Sequence, residues 1–250
     1  MKEEALRAVA HELDLNVQSI DGDYAVVDFP QAHTIGELCV EETSTTHPLF
    51  DEYKVQERVF RVMKDFRFFQ LCLPAVYGMG CVDDKWDWVL RKRYTGETYA
   101  HAPYPQTLAR EMAVLVFDLS QVPVLKFKKD VVSVNYTEQA PEFADFFARS
   151  VPTLYCITNG ACIPESLIHL EESIVLNNWT NARIVALEEI VAELILHVYP
   201  DTVWLDMFMR ELSNYVDVNS EWLEYMLLCC ASRNGKVDAA QKCIQQYVKK

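Results

Sequence analysis

The sequence predicts an α+β protein with a mixed N-terminal part and a helical C-terminal part. Two short β-prone runs flank Asp21-Gly22-Asp23, which has the composition of a hairpin connection. A long amphipathic helix begins near Asp51, and from Pro164 onward apolar residues recur at helical spacing. The predicted fold is therefore short β-hairpins with one long amphipathic helix, followed by a C-terminal antiparallel helical bundle. We assign residues 1–150 to the mixed part and 151–250 to the helical part, with one compact domain as the alternative.

The first elements are a short helix and two strands. Leu6, Val9 and Leu13 recur at helical spacing, and acidic residues in the first turn favour a helix N-terminus. Residues 16–20 and 24–29 are then two β-prone runs around the hairpin turn. We therefore expect a helix followed by a β-hairpin.

The long helix carries one buried stripe. Its members alternate by four and three, and they are Val55, Val59, Val62, Phe66 and Phe69. Pro74, Gly78 and Gly80 then predict an end of regular structure and the most flexible part of the chain. Residues 85–94 alternate aromatic and polar side chains, which predicts a strand with one aromatic face.

The middle of the chain predicts one helix and two further hairpins. The apolar run 108–119 favours a buried helix, with a buried strand as the alternative. Residues 122–137 are rich in β-branched side chains on both sides of Lys129-Asp130, which indicates a hairpin. Residues 153–163 indicate another hairpin, because Asn159-Gly160 favours the type I′ turn.

Helical spacing continues from Pro164 to the end of the chain. The first stripe is Leu167, Leu170 and Ile174, and the later stripes lie in residues 184–198, 203–212, 222–231 and 237–247. Pro200 ends one helix, Asp201 can cap the next, and Asn234-Gly235 ends another. The short connections favour antiparallel neighbours.

Glycine is nearly missing from the chain. There are 7 glycines in 250 residues, whereas an average chain carries about 7% glycine. Nucleotide-binding loops and nucleophile elbows need several glycines within a few residues, for positive φ and for close backbone approach. The composition therefore argues against these enzyme classes.

The chain is acidic, with a formal net charge of −14. Residues 1–50 hold ten acids and two bases, a net of −8, whereas residues 51–110 hold eight acids and ten bases, a net of +2. Bulk attraction to nucleic acid or to anionic lipid is therefore unfavourable. The two oppositely charged segments can attract each other or face different partners.

The location predicted from the sequence is cytoplasmic, with a nucleocytoplasmic location as the alternative. The first residues are too charged for a signal peptide, and no run approaches 18 uncharged apolar residues. Because disulfides are rare in that compartment, we expect the eight cysteines to be reduced thiols.

A candidate metal site lies on one helix. Glu189, Glu193 and His197 are spaced by four, so they share a helix face and could supply carboxylate and imidazole ligands. The alternative is that these residues form the solvated side of the helix.

A candidate nucleic-acid surface combines basic and aromatic residues. Its members are Arg58, Arg61, Arg91, Lys92, Arg93, Trp86 and Trp88. Interleaved basic and aromatic groups suit single-stranded nucleic acid, in which bases stack and phosphates pair with cations. The alternative is that the arginines pair with acids from residues 1–50, or form a solvated helix face.

Cys156 and Cys162 with His169 are a candidate thiol nucleophile and base, but the spacing does not fit structural zinc. The default for a buried free cysteine is a small hydrophobic residue.

These observations predict a non-catalytic structural or protein-interaction component of a larger intracellular assembly, a class that includes virus-encoded components. Low glycine, abundant aromatic residues and segments of opposite charge support this function. An RNA-binding module using residues 54–94 is one alternative, and a thiol- or metal-dependent hydrolase is another. We expect no cofactor, no membrane partner, and a protein partner or self-association.

Overall fold

The structure is a computed structural model that describes residues 2–29, 34–64, 66–127, 129, 131–177, 179 and 181–249. The helices are α1 (Lys2–Glu12), α2 (Pro48–Met63), α3 (Gln106–Ser120), α4 (Tyr136–Gln139), α5 (Ala144–Arg149), α6 (Leu187–Val198), α7 (Thr202–Leu212), α8 (Ser220–Asn234) and α9 (Val237–Tyr247). The strands are β1 (Asn16–Asp21), β2 (Tyr24–Phe29), β3 (Thr34–Glu42), β4 (Leu71–Cys72), β5 (Val76–Val82), β6 (Trp86–Lys92), β7 (Glu97–Thr98), β8 (Val132–Ser133), β9 (Tyr155–Thr158), β10 (Leu167–His169), β11 (Ile174–Leu176) and β12 (Arg183–Ala186).

The chain divides into two compact units. The first unit holds residues 1–65, 73–95 and 178–180, and the second holds residues 66–72, 96–177 and 181–250. Each unit combines helices with strands, so the predicted α+β class is confirmed. The predicted division at residue 150 stays a prediction.

The first unit is built on a five-stranded antiparallel sheet with the order β1-β2-β3-β6-β5. The predicted first hairpin is confirmed, with Asp21 paired to Tyr24 across its turn. Leu6 and Val9 of α1 are fully buried in a core with Val27 and Leu38. The apolar face of the predicted first helix therefore covers the sheet.

The glycines expected to end regular structure instead lie inside β5. Gly78 and Gly80 pair with residues of β6, and their backbone faces the ring of Trp88. A Cβ at Gly80 would lie 3.0 Å from this ring. Pro74 does lie between β4 and β5. The prediction that Gly78 and Gly80 end regular structure was wrong, because a large side chain on the neighbouring strand requires small residues here.

The N-terminus of α2 is fixed by a buried carboxylate. Asp87 of β6 is 1% exposed, and it accepts a hydrogen bond from the Thr43 hydroxyl at 2.9 Å. The same carboxylate lies 2.8 Å from Nδ1 of His47, the residue before α2, which has a φ of 44°. Thr43 also lies 3.2 Å from the exposed thiol of Cys81.

The predicted long helix is confirmed, but it ends at Met63. Phe66 and Phe69 of the predicted stripe lie beyond its end and are 37% and 73% exposed. The apolar residues of the stripe continue at helical spacing beyond Met63, although the helix itself ends there.

The second unit contains two small sheets, with the orders β4-β11-β10-β7 and β8-β12-β9. Strands β10 and β11 pair antiparallel, with Leu167 opposite Leu176. The helical stripe predicted from Leu167 to Ile174 was therefore wrong. Strands of three residues are too short to display period two, so their apolar residues imitated helical spacing.

Both predicted hairpins of the middle region were also wrong. Strand β9 pairs with β12 and not with residues 161–163, because the chain after Gly160 turns away from the sheet. Residues 124–126 form a 3-10 turn, and β8 pairs parallel to β12. Lys128 and Asp130 of the other predicted hairpin lie outside the described residues.

The helices α3 and α6 to α9 were predicted in type and position. Asp201 caps α7 by accepting a hydrogen bond from the amide of Trp204, and Gly235 ends α8 with a φ of 67°. In the described part of the chain, none of the helices combines the length and the apolar character needed to cross a membrane.

A buried carboxylate on α3 holds the segment that leads into β4. Asp118 is 1% exposed and accepts hydrogen bonds from the amides of Phe69, Gln70 and Leu71 at 2.8–3.0 Å. Three charge-assisted hydrogen bonds to one carboxylate fix this segment on the helix.

We predict that Asp118→Asn lowers the free energy of unfolding by about 3 kcal/mol, because an amide group replaces an acceptor and leaves buried amides unsatisfied. Urea denaturation measures this loss. Asp145→Asn, at an exposed position of α5, is the matched control and should change the stability by less than about 0.5 kcal/mol. Equal stability of the two variants would contradict the proposed anchoring.

Candidate ligand site in the second unit

The loop between β9 and β10, residues 159–166, is held by several side-chain to backbone hydrogen bonds. Asn159 is 3% exposed, and its side-chain amide donates to the carbonyl oxygen of Asn177 at 2.7 Å. The Asn159 Oδ1 atom accepts a hydrogen bond from the Ala161 amide at 3.2 Å. The start of the loop is therefore tied both to itself and to the residue that follows β11.

Gly160 is required by the backbone of this loop. Its φ is +95°, and a Cβ at this position would lie 2.6 Å from the carbonyl oxygen of Asn181. Residues with a side chain rarely adopt this φ, and the close carbonyl leaves no room for one. The Asn-Gly pair marks a tight turn in the loop and not the predicted hairpin.

Ser166 closes the other end of the loop. Its Oγ lies 2.7 Å from the carbonyl oxygens of Ala161 and Ile163, so the hydroxyl donates back across five residues. The loop is thus held in one conformation by side-chain to backbone hydrogen bonds.

Glu165 links the loop to α6 and to Tyr104, which lies just before α3. It accepts a hydrogen bond from the Tyr104 hydroxyl, and its Oε2 lies 2.8 Å from Nε2 of His197 at the end of α6. Burial opposes ionisation, but the hydrogen bonds from Tyr104 and His197 dominate and hold the pKa of Glu165 below its ordinary value. Burial and the nearby carboxylate raise the pKa of Tyr104.

A buried ionic cluster lies on the preceding turns of α6. Glu189 is fully buried and accepts hydrogen bonds from Tyr136 at 2.6 Å and from Arg233 at 3.1 Å. Arg183 lies 3.3 Å from Glu189 and donates to Glu193 at 2.8 Å. Two arginines and a tyrosine are therefore the hydrogen-bond and ion-pair partners of these two carboxylates.

Glu193 is the titratable member of this cluster. Burial, followed by repulsion from Glu189, raises its pKa to about 7, although Arg183 and Arg233 act in the opposite direction. Its side chain is 22% exposed. The group can therefore exchange protons with solvent near neutral pH.

The predicted metal set is divided in the structure. The ligand atoms of Glu189, Glu193 and Cys230 lie within 4.8 Å of one another, whereas His197 pairs with Glu165. Arg183 and Arg233 already supply positive charge beside the carboxylates. Metal binding by Glu189, Glu193 and His197 stays a prediction.

A cavity of about 430 Å³ opens beside the loop. It is lined by Gly160, Ala161, Ile163, Glu193, Leu196, His197, Asn234 and Lys236. Lys236 is turned toward the helix end, because its ammonium group donates to the carbonyl oxygen of Leu196 at 2.8 Å. Glu193 is the acidic residue in this lining.

The predicted nucleic-acid residues lie in the first unit and are engaged there. Arg91 donates to Glu37 at 2.8 Å and to the Tyr53 hydroxyl at 2.9 Å, and Arg93 lies 3.9 Å from Glu37. The alternative that these arginines pair with acids from residues 1–50 therefore holds for Arg91 and Arg93.

The other residues of the predicted nucleic-acid surface lie on α2 and on β6 or next to it. Arg61 pairs with Glu57 along α2, where Arg58 also lies, and Lys92 lies over the ring of Tyr94. Trp86 and Trp88 are partly buried on β6. Nucleic-acid binding by this set stays a prediction.

The cysteines considered as nucleophiles are buried. Cys156 and Cys162 are 0% and 1% exposed, and burial raises the pKa of Cys162 to about 12. His169 pairs with Glu111 at 3.3 Å. A buried thiol with a raised pKa is a poor nucleophile, so these side chains act as core residues.

No protein-family model and no curated protein matches the sequence. Solved structures do match in fold. The macrolide 2'-phosphotransferase MphH from Brachybacterium faecium gives a TM-score of 0.61 at 11% identity, covering 96% of this chain and 97% of that one. The chain has a protein kinase-like phosphotransferase fold. The choline kinase LicA from Streptococcus pneumoniae gives 0.57 at 12% identity, covering 99% and 97%. A variant of the aminoglycoside phosphotransferase APH(4)-Ia with ADP and hygromycin B gives 0.57 at 12%, covering 98% of each chain.

This fold corrects the predicted function. A non-catalytic structural or protein-interaction component of a larger assembly was the wrong prediction, because the similar structures are phosphotransferases and kinases named for small molecules. Glycine-rich motifs occur in loops. Their absence from the sequence therefore does not exclude a fold that is defined by its sheet and helices.

Sequence reasoning missed most of the site. Glu193 and His197 were named, but Tyr104 and Glu165 were not, because 61 residues separate the two hydrogen-bonded groups. Asn159-Gly160 was the signal that marked the loop, although it was assigned to a hairpin.

We predict that Gly160→Ala lowers the free energy of unfolding by about 3 kcal/mol or more, because positive φ and the nearby carbonyl both oppose a side chain. Gly235→Ala is the matched control, since Gly235 has a φ of +67° but nothing within 4 Å of its Cβ position. This variant should lose only about 1 kcal/mol. Equal losses in thermal or urea unfolding would show that the contact with Asn181 has no effect.

We predict that Glu193→Gln changes how stability depends on pH. The pKa of Glu193 is raised from 4.5 to about 7 in the folded chain. Its protonated form is therefore favoured by folding, and wild-type stability falls as pH rises from 4.5 through 7. The variant lacks this loss, so its stability relative to wild type should rise by on the order of 2 kcal/mol between pH 5 and pH 8.

Urea denaturation at several pH values measures this difference. Glu138→Gln, at an exposed position of α4, should instead run parallel to the wild type. A parallel curve for Glu193→Gln would mean that the Glu193 carboxyl titrates alike in the folded and unfolded chain.

Proposed function

We propose that this chain is a small-molecule-binding protein of the phosphotransferase fold, and that its ligand is a hydroxylated compound carrying an amine. The observation that carries this proposal is the cavity of about 430 Å³ between the constrained loop and α6, with Glu193 in its wall. Small-molecule sites have volumes of about 300–1,000 Å³ and contain few, well-placed polar groups.

The similar structures support the ligand class. Their names refer to aminoglycosides, to choline and to aminopropanol. Two features of this chain favour the same class of ligand, a compound with a positive charge. Glu193 lies in the wall of the cavity, and the residues assigned to the second unit include 20 acids and 13 bases. A protonated amine gains from a partly buried carboxylate that is otherwise shared with arginine.

The constrained loop supports a binding role for its surface. Gly160, Asn159 and Ser166 hold the backbone of residues 159–166 in one conformation before any ligand arrives. A preorganised wall reduces the entropy lost on binding.

The C-terminal helices supply the other wall. We extend the proposal to their arrangement as an antiparallel bundle, in which α6 packs against α8 and α8 against α9. Self-association, protein or RNA partners and a cytoplasmic location stay predictions.

Isothermal titration calorimetry with hygromycin B and choline tests the proposal, with sucrose as an uncharged control. We expect at least one amine-bearing compound to bind, and sucrose not to bind. Because an ammonium group favours the ionised form of Glu193, affinity should rise several-fold from pH 6 to pH 8.

The variant Glu193→Gln should weaken binding and remove this pH dependence, whereas Glu138→Gln should bind like the wild type. Binding that is unchanged in Glu193→Gln would place the ligand elsewhere. Failure of every amine-bearing compound to bind would reject the proposed ligand class.

A further inference from the structure

The fold implies a magnesium–nucleotide complex, and the residues of this chain can be tested against it. Kinases of this fold hold the nucleotide phosphates with a glycine-rich loop and a lysine on the third strand. They hold Mg²⁺ with an Asp and with the Asn of the catalytic loop, whose pattern is H-R-D-x-x-x-x-N. The metal-binding positions concern the second unit, and the phosphate-binding positions concern the first.

We place the eight positions of that pattern on residues 159–166, the loop between β9 and β10. The loop sequence is NGACIPES, so this placement puts Ala161 at the Asp position and Ser166 at the Asn position, and none of the named residues of the pattern is present. The hydrogen bond from the Ser166 hydroxyl to the Ala161 carbonyl joins these two positions directly. Ala161 offers no carboxylate, and the Ser166 hydroxyl is used to close the loop.

The acid within this loop does not replace the missing carboxylate. Glu165 is bound by Tyr104, before α3, and by His197 of α6. It is therefore committed to anchoring the loop.

The segment after β11 also lacks an acidic metal ligand. Residues 173–187 contain no Asp or Glu, and the next acid is Glu188. Glu188 is fully buried and accepts hydrogen bonds from the amides of Thr153 and Asn219. Mg²⁺ is bound through carboxylates in such sites, and this segment supplies none.

The first unit offers no phosphate cradle in its described strands. The turn between β1 and β2 contains one glycine, Gly22, between the acids Asp21 and Asp23. Strand β3 contains no Lys or Arg, and its Glu37 pairs with Arg91. Acids at the turn repel phosphate, and a turn with one glycine lacks the glycine-rich backbone that lets several amides approach a phosphate closely.

We infer that this chain binds its ligand without a magnesium–nucleotide complex. It therefore recognises a ligand but does not transfer a phosphoryl group to it. The identity of the ligand rests on the proposed function, whereas the exclusion of the nucleotide rests only on the residues named above.

The experiment measures the thermal midpoint of the wild-type chain with ATP or GTP, each with and without Mg²⁺ at millimolar concentration. The Streptococcus pneumoniae choline kinase in the same buffers is the positive control. We expect no magnesium-dependent shift for this chain, and an affinity for the amine-bearing ligand that changes less than twofold when magnesium and nucleotide are added. A saturable, magnesium-dependent shift of the wild type would overturn the inference.

A matched pair of variants tests the position of the missing carboxylate. Ala161→Asp with Ser166→Asn restores both functional groups of the pattern, and Ala161→Asn with Ser166→Asn restores the amide alone. A magnesium-dependent shift in the first pair only would support the inference. Equal shifts in the wild type and both pairs would overturn it, because the nucleotide would then bind without these positions.

The two proposals fail in different ways. Absence of binding by every amine-bearing compound, with no response to nucleotide, rejects the proposed ligand and supports the exclusion of the nucleotide. Binding of magnesium–nucleotide together with an amine-bearing compound rejects the inference and retains the ligand.

Discussion

The carboxylate of Glu189 is the point on which the second unit depends. It lies on α6 without solvent exposure, and its partners Tyr136, Arg183 and Arg233 come from α4, β12 and α8. An ionised group at such a position costs several kcal/mol in lost hydration, which only a complete set of donors offsets. The positions of these elements are therefore coupled through one side chain. The altered acidity of neighbouring Glu193, and with it the polar wall of the cavity, follows from this arrangement.

Elements with a clear period could be predicted from the sequence. The first helix shows such a period, because it buries one face that includes Leu6 and Val9. The helix α6 was predicted from its apolar spacing as well, although it is buried on nearly all sides. The pairing of the short strands of the second unit could not be predicted. Their partners are distant in sequence, as Arg183 opposite Thr158 shows. Gly78 and Gly80 were misjudged for a related reason, since only the fold places Trp88 over them.

The candidate site was predictable only in part, because its geometry depends on long-range contacts. The spacing of Glu193 and His197 correctly placed both on α6, but it could not show that one meets Arg183 and the other Glu165. The scarcity of glycine is one premise of the inference that this chain binds no magnesium–nucleotide complex. It was wrong to conclude a structural role from it, because a low glycine content does not exclude a fold that is defined by its sheet and helices.

The cysteines of the chain differ sharply in their accessibility. Cys81 is exposed on the first unit, whereas Cys156, Cys162, Cys229, Cys230 and Cys243 are buried in the second, where burial raises the pKa of each. A maleimide dye reacts with an accessible thiolate far faster than with a buried thiol. The natural sequence thus already contains a preferred attachment point for a fluorophore. Spectroscopy of the first unit can begin without an engineered cysteine.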